Sequence, residues 1–179
     1  LVEECLALAH QRISKQKISV KKTLDGDVPP FPLDEPSMKE SIMNVLINSA
    51  HAIDHADREN NRGEIQILTR RECLRKTLQD FGIDKSWGRK ESNPAGSEII
   101  LPKGTDCAVI EIRDNGSGIA RQYLPRIFDP FFTTKTNGTG LGLPMVKRTV
   151  NAHGGIVGVS STMHKGTTVR LYLPLKHET

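Results

Sequence analysis

Asn44, Asn48 and His51, with Glu40 before them, interrupt an otherwise apolar stretch. Met38, Ile42, Met43, Val45, Leu46, Ile47, Ala50 and Ile53 cover most of the circumference of a helix over 37–56, so that helix is expected to be largely buried. At ~100° per residue the four polar residues fall in a stripe about 80° wide. A buried helix must satisfy such groups, through a solvated seam, an internal hydrogen-bond network or a bound ligand. If a ligand, the chemistry is restricted: an asparagine carbonyl oxygen is a hard, neutral donor suited to Mg²⁺, with phosphates and waters completing the octahedron.

A second group is Asp114-Asn115-Gly116-Ser117-Gly118. In the strand before it, Ala108, Ile110 and Ile112 share one face, and a period of two puts Asp114 on that inward face as well. A buried carboxylate without a donor is costly; an exocyclic amine such as that of adenine would serve. Gly116 and Gly118 allow a tight turn and close approach to a planar ring. By itself the segment reads more readily as a plain turn after a strand.

The third group is Phe128-Asp129-Pro130-Phe131-Phe132-Thr133-Thr134-Lys135, running into Asn137-Gly138-Thr139-Gly140-Leu141-Gly142. The phenylalanines could plug a core. The residues after them read differently, because a glycine-rich loop entering a helix presents N–H groups and a positive dipole end to phosphate, and Lys135 adds a charge. No GxxxxGK[ST] is present, so this is not a Walker loop, and the context of a dinucleotide-binding fold is absent too. The last group is Gly166-Thr167. Thr167 shares its strand face with Val169, Leu171 and Leu173, a hydroxyl on an inward face that needs a partner.

These groups need a scaffold. A helix over 1–16 has Val2, Leu6, Ala9 and Ile13 at three- and four-residue spacing. Residues 17–24 alternate as a strand, and 25–36, with four prolines, is a loop. Ser37 and Glu40 form a candidate capping box for the 37–56 helix. Strands are expected at 64–69 and 108–113. Of the 38 residues between them, long for a connection, Arg71–Phe81 reads as a short helix and Trp87–Gly104 as loop. A short helical stretch follows near Ala120–Ile127. The helix opened at 138–142 ends at Gly154-Gly155, and strands at 156–161 and 167–174 form a hairpin. The expected class is α+β: a two-layer sandwich, its mixed, mostly antiparallel sheet covered by helices on one face.

Composition narrows the function. The 179 residues suit one domain. No apolar run approaches the ~20 residues of a membrane helix, and no signal peptide is apparent. The chain opens on Leu1, as expected of a fragment. Cys5, Cys73 and Cys107 are too widely spaced for a zinc cluster and read as reduced cytosolic thiols. The net charge is +4, and the stretch from Arg70 to Lys90, seven bases against three acids, carries the same excess. With the rest balanced, a general nucleic-acid surface is not indicated.

As a set, NVLINSAHA (44–52), DNGSGI (114–119), FDPFFTTK (128–135), GTGLGL (138–143) and GTTVRLYLP (166–174) resemble the N, G1, F and G2 boxes and closing strand of sensor histidine kinases, in that family's order. The resemblance implies the Bergerat ATP-binding sandwich, with ATP and Mg²⁺ as cofactors. It implies that Asn48 holds Mg²⁺, that Asn44 lies at a polar site position one turn earlier, and that His51 reaches phosphate. Asp114 would read the adenine amine, with Thr167 nearby. Gly116, Gly118, Gly138, Gly140 and Gly142 would be the loop glycines, with Thr133, Thr134, Lys135, Thr139 and Leu141 in the lid and phosphate loop. Asn44 and Lys135 are the catalytic candidates. The lid between Phe132 and Gly138 is short, as in nitrogen-regulator-type kinases.

The resemblance also implies an organisation. Residues 1–16 would end a preceding dimerisation helix, and 17–179 would form the catalytic domain, with a basic insertion at about 70–106 where a tight connection is usual. The implied partners are the chain's own dimerisation and phosphoacceptor domain and a response regulator. The parent would be a homodimer, with this domain in the cytoplasm whether or not the parent is membrane-anchored. The acceptor pattern, His followed by Glu or Asp on a helix, is missing. His177-Glu178 fits only locally and His10 no better. Rival readings are an ATPase or protein serine kinase of the same fold. Such ATPases place a glutamate base where this chain has Asn44, whose amide takes no proton near neutral pH.

Overall fold

The computed structural model describes residues 1–13, 18–54, 56, 62–79, 99–136 and 138–175. Trp87, Asn137, His177 and Glu178 lie outside these residues, as does the side chain of His10. Three helices, α1 (Val2–Ile13), α2 (Glu35–Asp54) and α3 (Gly142–Ala152), pack on one face of a five-stranded sheet. The strands are β1 (Ser19–Leu24), β2 (Glu64–Cys73), β5 (Asp106–Asp114), β6 (Ile156–Thr162) and β7 (Gly166–Pro174), in spatial order β1-β2-β5-β7-β6. Among the described strands of this sheet only β1 and β2 pair in parallel. The α+β class, the mixed sheet and the single helical layer are therefore as expected. Among the described residues no helix is long and apolar enough to cross a membrane.

The main core lies between the layers. Met38, Ile42, Val45, Leu46 and Ile53 of α2 meet Ile65 and Ile67 of β2, Ile110 and Ile112 of β5, and Leu171 and Leu173 of β7. Burying each such side chain contributes about 1.5–3 kcal/mol. The sequence pattern explains this directly, since alternating apolar residues in three strands face one apolar helix.

Four local expectations are corrected. Ser37 and Glu40 do not make the cap of α2. The helix starts two residues earlier, where Asp34 accepts from the Ser37 N–H at 3.3 Å and the Ser37 hydroxyl at 2.7 Å; Glu40 is exposed. Those bonds hold the Asp34 carboxyl below the usual carboxylate range. Arg71–Cys73 is strand, not helix. It extends β2 opposite Asp106–Ala108, and Arg71 grips Asp106 with contacts at 2.6 and 2.9 Å. The expected loop at 87–104 includes a strand, β4 (Ile100–Leu101), paired with β3 (Leu78–Gln79). The stretch near 120–127 holds only a 3₁₀ turn, Leu124–Arg126.

The β3–β4 pair gives the sheet's other face a small core of its own. Leu74, Leu101, Cys107, Val109 and Ile156 are buried together, with Leu78, Ile99 and Tyr172 against them. Burial pushes the Cys107 thiol up to about 11. The excursion between β2 and β5 is tied at its neck, Leu74 N–H to Thr105 O at 2.9 Å and Gly104 N–H to Leu74 O at 2.8 Å.

Candidate nucleotide site

The site forms where α2, the loop after β5, the turn between β6 and β7, and the loop before α3 converge. Asp114 is at the end of the central strand, only 5% exposed. Its Oδ1 accepts from the backbone N–H of Gly116 at 2.9 Å and of Thr167 at 3.2 Å, and its Oδ2 from the Ser49 hydroxyl at 3.1 Å. Protein donors therefore meet the need that sequence reasoning gave to a ligand. Thr167 sits directly opposite Asp114 in the ladder, and its hydroxyl finds its partner in Ser161, 2.9 Å away. The Ser161 hydroxyl in turn accepts from the Ile119 N–H at 2.8 Å.

The loop after β5 requires glycine at both of its glycine positions. At Gly118, with φ +71°, a Cβ would lie 2.1 Å from the Thr162 carbonyl oxygen. At Gly116 a Cβ would lie 2.6 Å from the backbone of Ala52 in α2. The loop is thus pressed against α2, and the Ser117 N–H donates to Ala52 O at 2.8 Å. Conformational freedom and close approach are what glycine supplies here.

The second wall is the lid and the start of α3. Phe131 N–H donates to Gly140 O at 3.0 Å, closing the base of the lid. Phe131 has φ 65° and is 75% exposed, so the three phenylalanines do not form one plug. Phe128 packs against the core. Phe132 lies between Tyr123, with ring centroids 5.8 Å apart, and the Arg126 guanidinium, 4.4 Å from its centroid. Thr133, Thr134 and Thr139 are exposed, and the Thr133 and Thr139 hydroxyls accept from the N–H groups of Lys135 and Leu141. Leu141 is the N-cap residue of α3 and no side chain caps the helix there, which suits the end to an anion.

The two walls meet on α2. A Cβ on Gly142 would lie 3.6 Å from the Asn48 amide nitrogen and 3.9 Å from Asn44, so the start of α3 rests on both amides. Lys135 Nζ donates to Asn48 Oδ1 at 2.9 Å. Burial pushes the lysine below its ordinary pKa, with the Asp114 carboxylate opposing that shift. Asn44 and Asn48 are half-buried, and Ser49, beside Asn48, is bonded to Asp114. His51 is exposed three residues beyond Asn48. The structure thus brings Asn44, Asn48, Lys135 and Gly142 together, and links them through Ser49 to Asp114, Gly116 and Thr167.

Sequence reasoning missed Ser49 and Ser161. Ser161 was detectable, since it shares the inward alternation of Val157 and Val159. Ser49 follows Asn48 in the chain but falls about 100° outside the polar stripe, with nothing to mark its hydroxyl as the partner of a residue 65 positions away.

Residues 34–177 match the family described as histidine kinase-, DNA gyrase B- and HSP90-like ATPases. Among curated proteins, the chain is 34% identical over 98% of its length to the signal transduction histidine-protein kinase AtoS of Escherichia coli, of which it covers 23%. It is 34% identical over 89% of its length to the sensory histidine kinase/phosphatase NtrB of Rhizobium meliloti, covering 36% of that protein. Among solved structures, the catalytic domain of the histidine kinase ThkA superposes with a TM-score of 0.64 at 22% identity, covering 97% of this chain and 90% of that one. Full-length ShkA in complex with AMPPNP gives a TM-score of 0.66 at 19% identity, covering 99% and 30%. The chain spans about a quarter to a third of these curated relatives. The chain belongs to the histidine kinase-, DNA gyrase B- and HSP90-like ATPase family, and is of the ATP-binding catalytic domain type found in sensor histidine kinases.

Proposed function

We propose that the chain binds Mg²⁺-ATP between α2, the loop after β5 and the lid, and transfers the γ-phosphate to a histidine on a separate dimerisation domain, for relay to a response regulator. The observation that carries this reading is the meeting of Asn48, Lys135 and the uncapped start of α3, tied through Ser49 to the buried Asp114. Asp114, with Gly116 and Gly118 behind it and Thr167 opposite, is suited to fix adenine. The N–H groups and dipole of α3, reached through Gly138, Thr139, Gly140, Leu141 and Gly142, favour phosphate. His51, one turn after Asn48, and Thr133 and Thr134 of the lid are read as phosphate contacts.

The donor chemistry fits a divalent cation. The Asn48 amide oxygen already carries a cationic group, the Lys135 ammonium, and Asn48, beside Asn44, is the residue assigned to hold Mg²⁺. Bound with substrate phosphates, the metal would supply charge neutralisation for phosphoryl transfer. Residues 1–16 are read as the end of a dimerisation helix and 17–179 as the catalytic domain, in a cytoplasmic setting and a homodimeric parent. The excursion at about 70–106 is read as an insertion.

Asn44 separates this reading from that of an ATPase. It stands where the ATPases of this fold carry a glutamate base, and an amide cannot accept a proton from water near neutral pH. Phosphate release from Mg²⁺-ATP by the isolated chain is therefore expected to be slow, while calorimetry detects binding. Rapid, multiple-turnover release would sink the kinase reading in favour of hydrolysis.

A further inference from the structure

Asn48 presents one amide oxygen to the site, and the Lys135 ammonium is on it at 2.9 Å. In the reading above, the same oxygen is given to Mg²⁺. An inner-sphere Mg²⁺–oxygen contact is about 2.0–2.1 Å, so an ammonium hydrogen-bonded to that oxygen would lie only a few ångströms from a divalent charge. Like charges at that separation, between partly buried groups, repel. The two cations exclude each other.

The displaced ammonium then needs a partner. Asp114 is an acidic group whose field reaches Lys135, but its oxygens take Gly116, Thr167 and Ser49. Side-chain rotation alone can release the ammonium. The lid is closed at its base by Phe131 and Gly140, and Gly138 N–H donates to Lys135 O at 3.2 Å. What moves is the side chain, from Asn48 towards whatever anion stands under the lid. A triphosphate brings a terminal phosphate that a diphosphate lacks.

We propose that Lys135 sets nucleotide specificity: it competes with Mg²⁺ for Asn48, and only a nucleoside triphosphate compensates its displacement. This rests on the reading of the pocket as a Mg²⁺-nucleotide site. With ADP, the metal evicts the ammonium and offers nothing in return. With ATP, the ammonium exchanges an amide for a phosphate. The lysine therefore opposes Mg²⁺-ADP and favours Mg²⁺-ATP, which would help product leave.

The test is calorimetry of ATP and ADP against the wild-type chain and Lys135→Met, which keeps the apolar stem and removes the charge, with Mg²⁺ titrated at fixed ADP. In Lys135→Met the ATP-over-ADP preference should fall about tenfold, within the range usual for coupled sites. The Mg²⁺ concentration needed for half-maximal ADP binding should fall as well. Lys135→Arg, which keeps a cation, should restore part of the preference. An unchanged preference and Mg²⁺ midpoint in Lys135→Met would overturn the proposal, as would equal weakening of both nucleotides without a midpoint shift, the signature of a structural role. A wild-type chain that binds neither nucleotide would overturn the functional reading itself, a different result from binding that ignores Lys135.

Discussion

Asp114→Asn isolates the proposed adenine contact with little disturbance of the fold. Both backbone donors, Gly116 N–H and Thr167 N–H, converge on Oδ1, so an amide oxygen placed there keeps both. The new NH₂ would replace Oδ2, where it meets the Ser49 hydroxyl, a group that can rotate to accept. Folding then loses only the charge-assisted part of these bonds, about 1–3 kcal/mol. At ~2–4 °C per kcal/mol for a chain of this size, the melting point should drop by no more than about 12 °C. An adenine amine would lose a charged acceptor and face a second donor. The expected cost to ATP binding is about 1.5–3 kcal/mol, or roughly 10- to 150-fold in Kd. Isothermal calorimetry with Mg²⁺-ATP, beside circular dichroism to confirm folding, gives the answer. Unchanged affinity in a folded variant would remove Asp114 from the site.

Other perturbations reach separate parts of the account. Asn48→Ala should abolish the strengthening of ATP binding by Mg²⁺ while leaving adenosine binding nearly intact; a wild-type Mg²⁺ effect in the variant would contradict the metal assignment. Leu101→Ala opens the small core on the outer sheet face and should cost about 2–5 kcal/mol in urea melts, without altering ATP affinity; a stability loss below about 1 kcal/mol would contradict the described packing. Burial pushes the Glu111 carboxyl up, but Arg170 and Arg70, donating at 2.8 and 3.1 Å, outweigh burial and hold it below the usual range. With the folded pKa depressed, this stabilisation is full above the ordinary glutamate range and is lost as pH falls through the folded value. Glu111→Gln should therefore cost about 1–3 kcal/mol at pH 7, and that cost should shrink as the pH falls below the ordinary glutamate range and through the depressed folded value; a cost that stays constant down to acid unfolding would refute the network.

The sequence carried much of this site because its chemistry is local. The polar stripe on α2, the inward Asp114 and the glycines at 116, 118, 140 and 142 each mark a position by residue type and spacing. What stayed hidden depends on partners far apart in the chain. Lys135 and Asn48 are 87 positions apart and Asp114 and Ser49 are 65, and no periodicity announces either pair. The β3–β4 neck was illegible for a related reason. Two strands of two residues have no alternation to read, and they form because Leu74, Leu101 and Val109 need cover. The start of α2 was illegible because Ser37 and Asp34 are both acceptable caps by residue type, and it is Pro36 in the first turn that lets Asp34 cap the helix.

Phosphoryl transfer to a separate acceptor tests the central claim most directly. The chain, incubated with Mg²⁺ and γ-labelled ATP, is mixed with the dimerisation domain of a similar sensor kinase, and acid-labile phosphate is followed on each. Label is expected on the acceptor histidine of the added domain and none on this chain. Stoichiometric acid-labile phosphate on the chain alone, mapped to His10 or His177, would show the acceptor to be misplaced. Rapid release of phosphate with no label on either protein would contradict the kinase assignment itself.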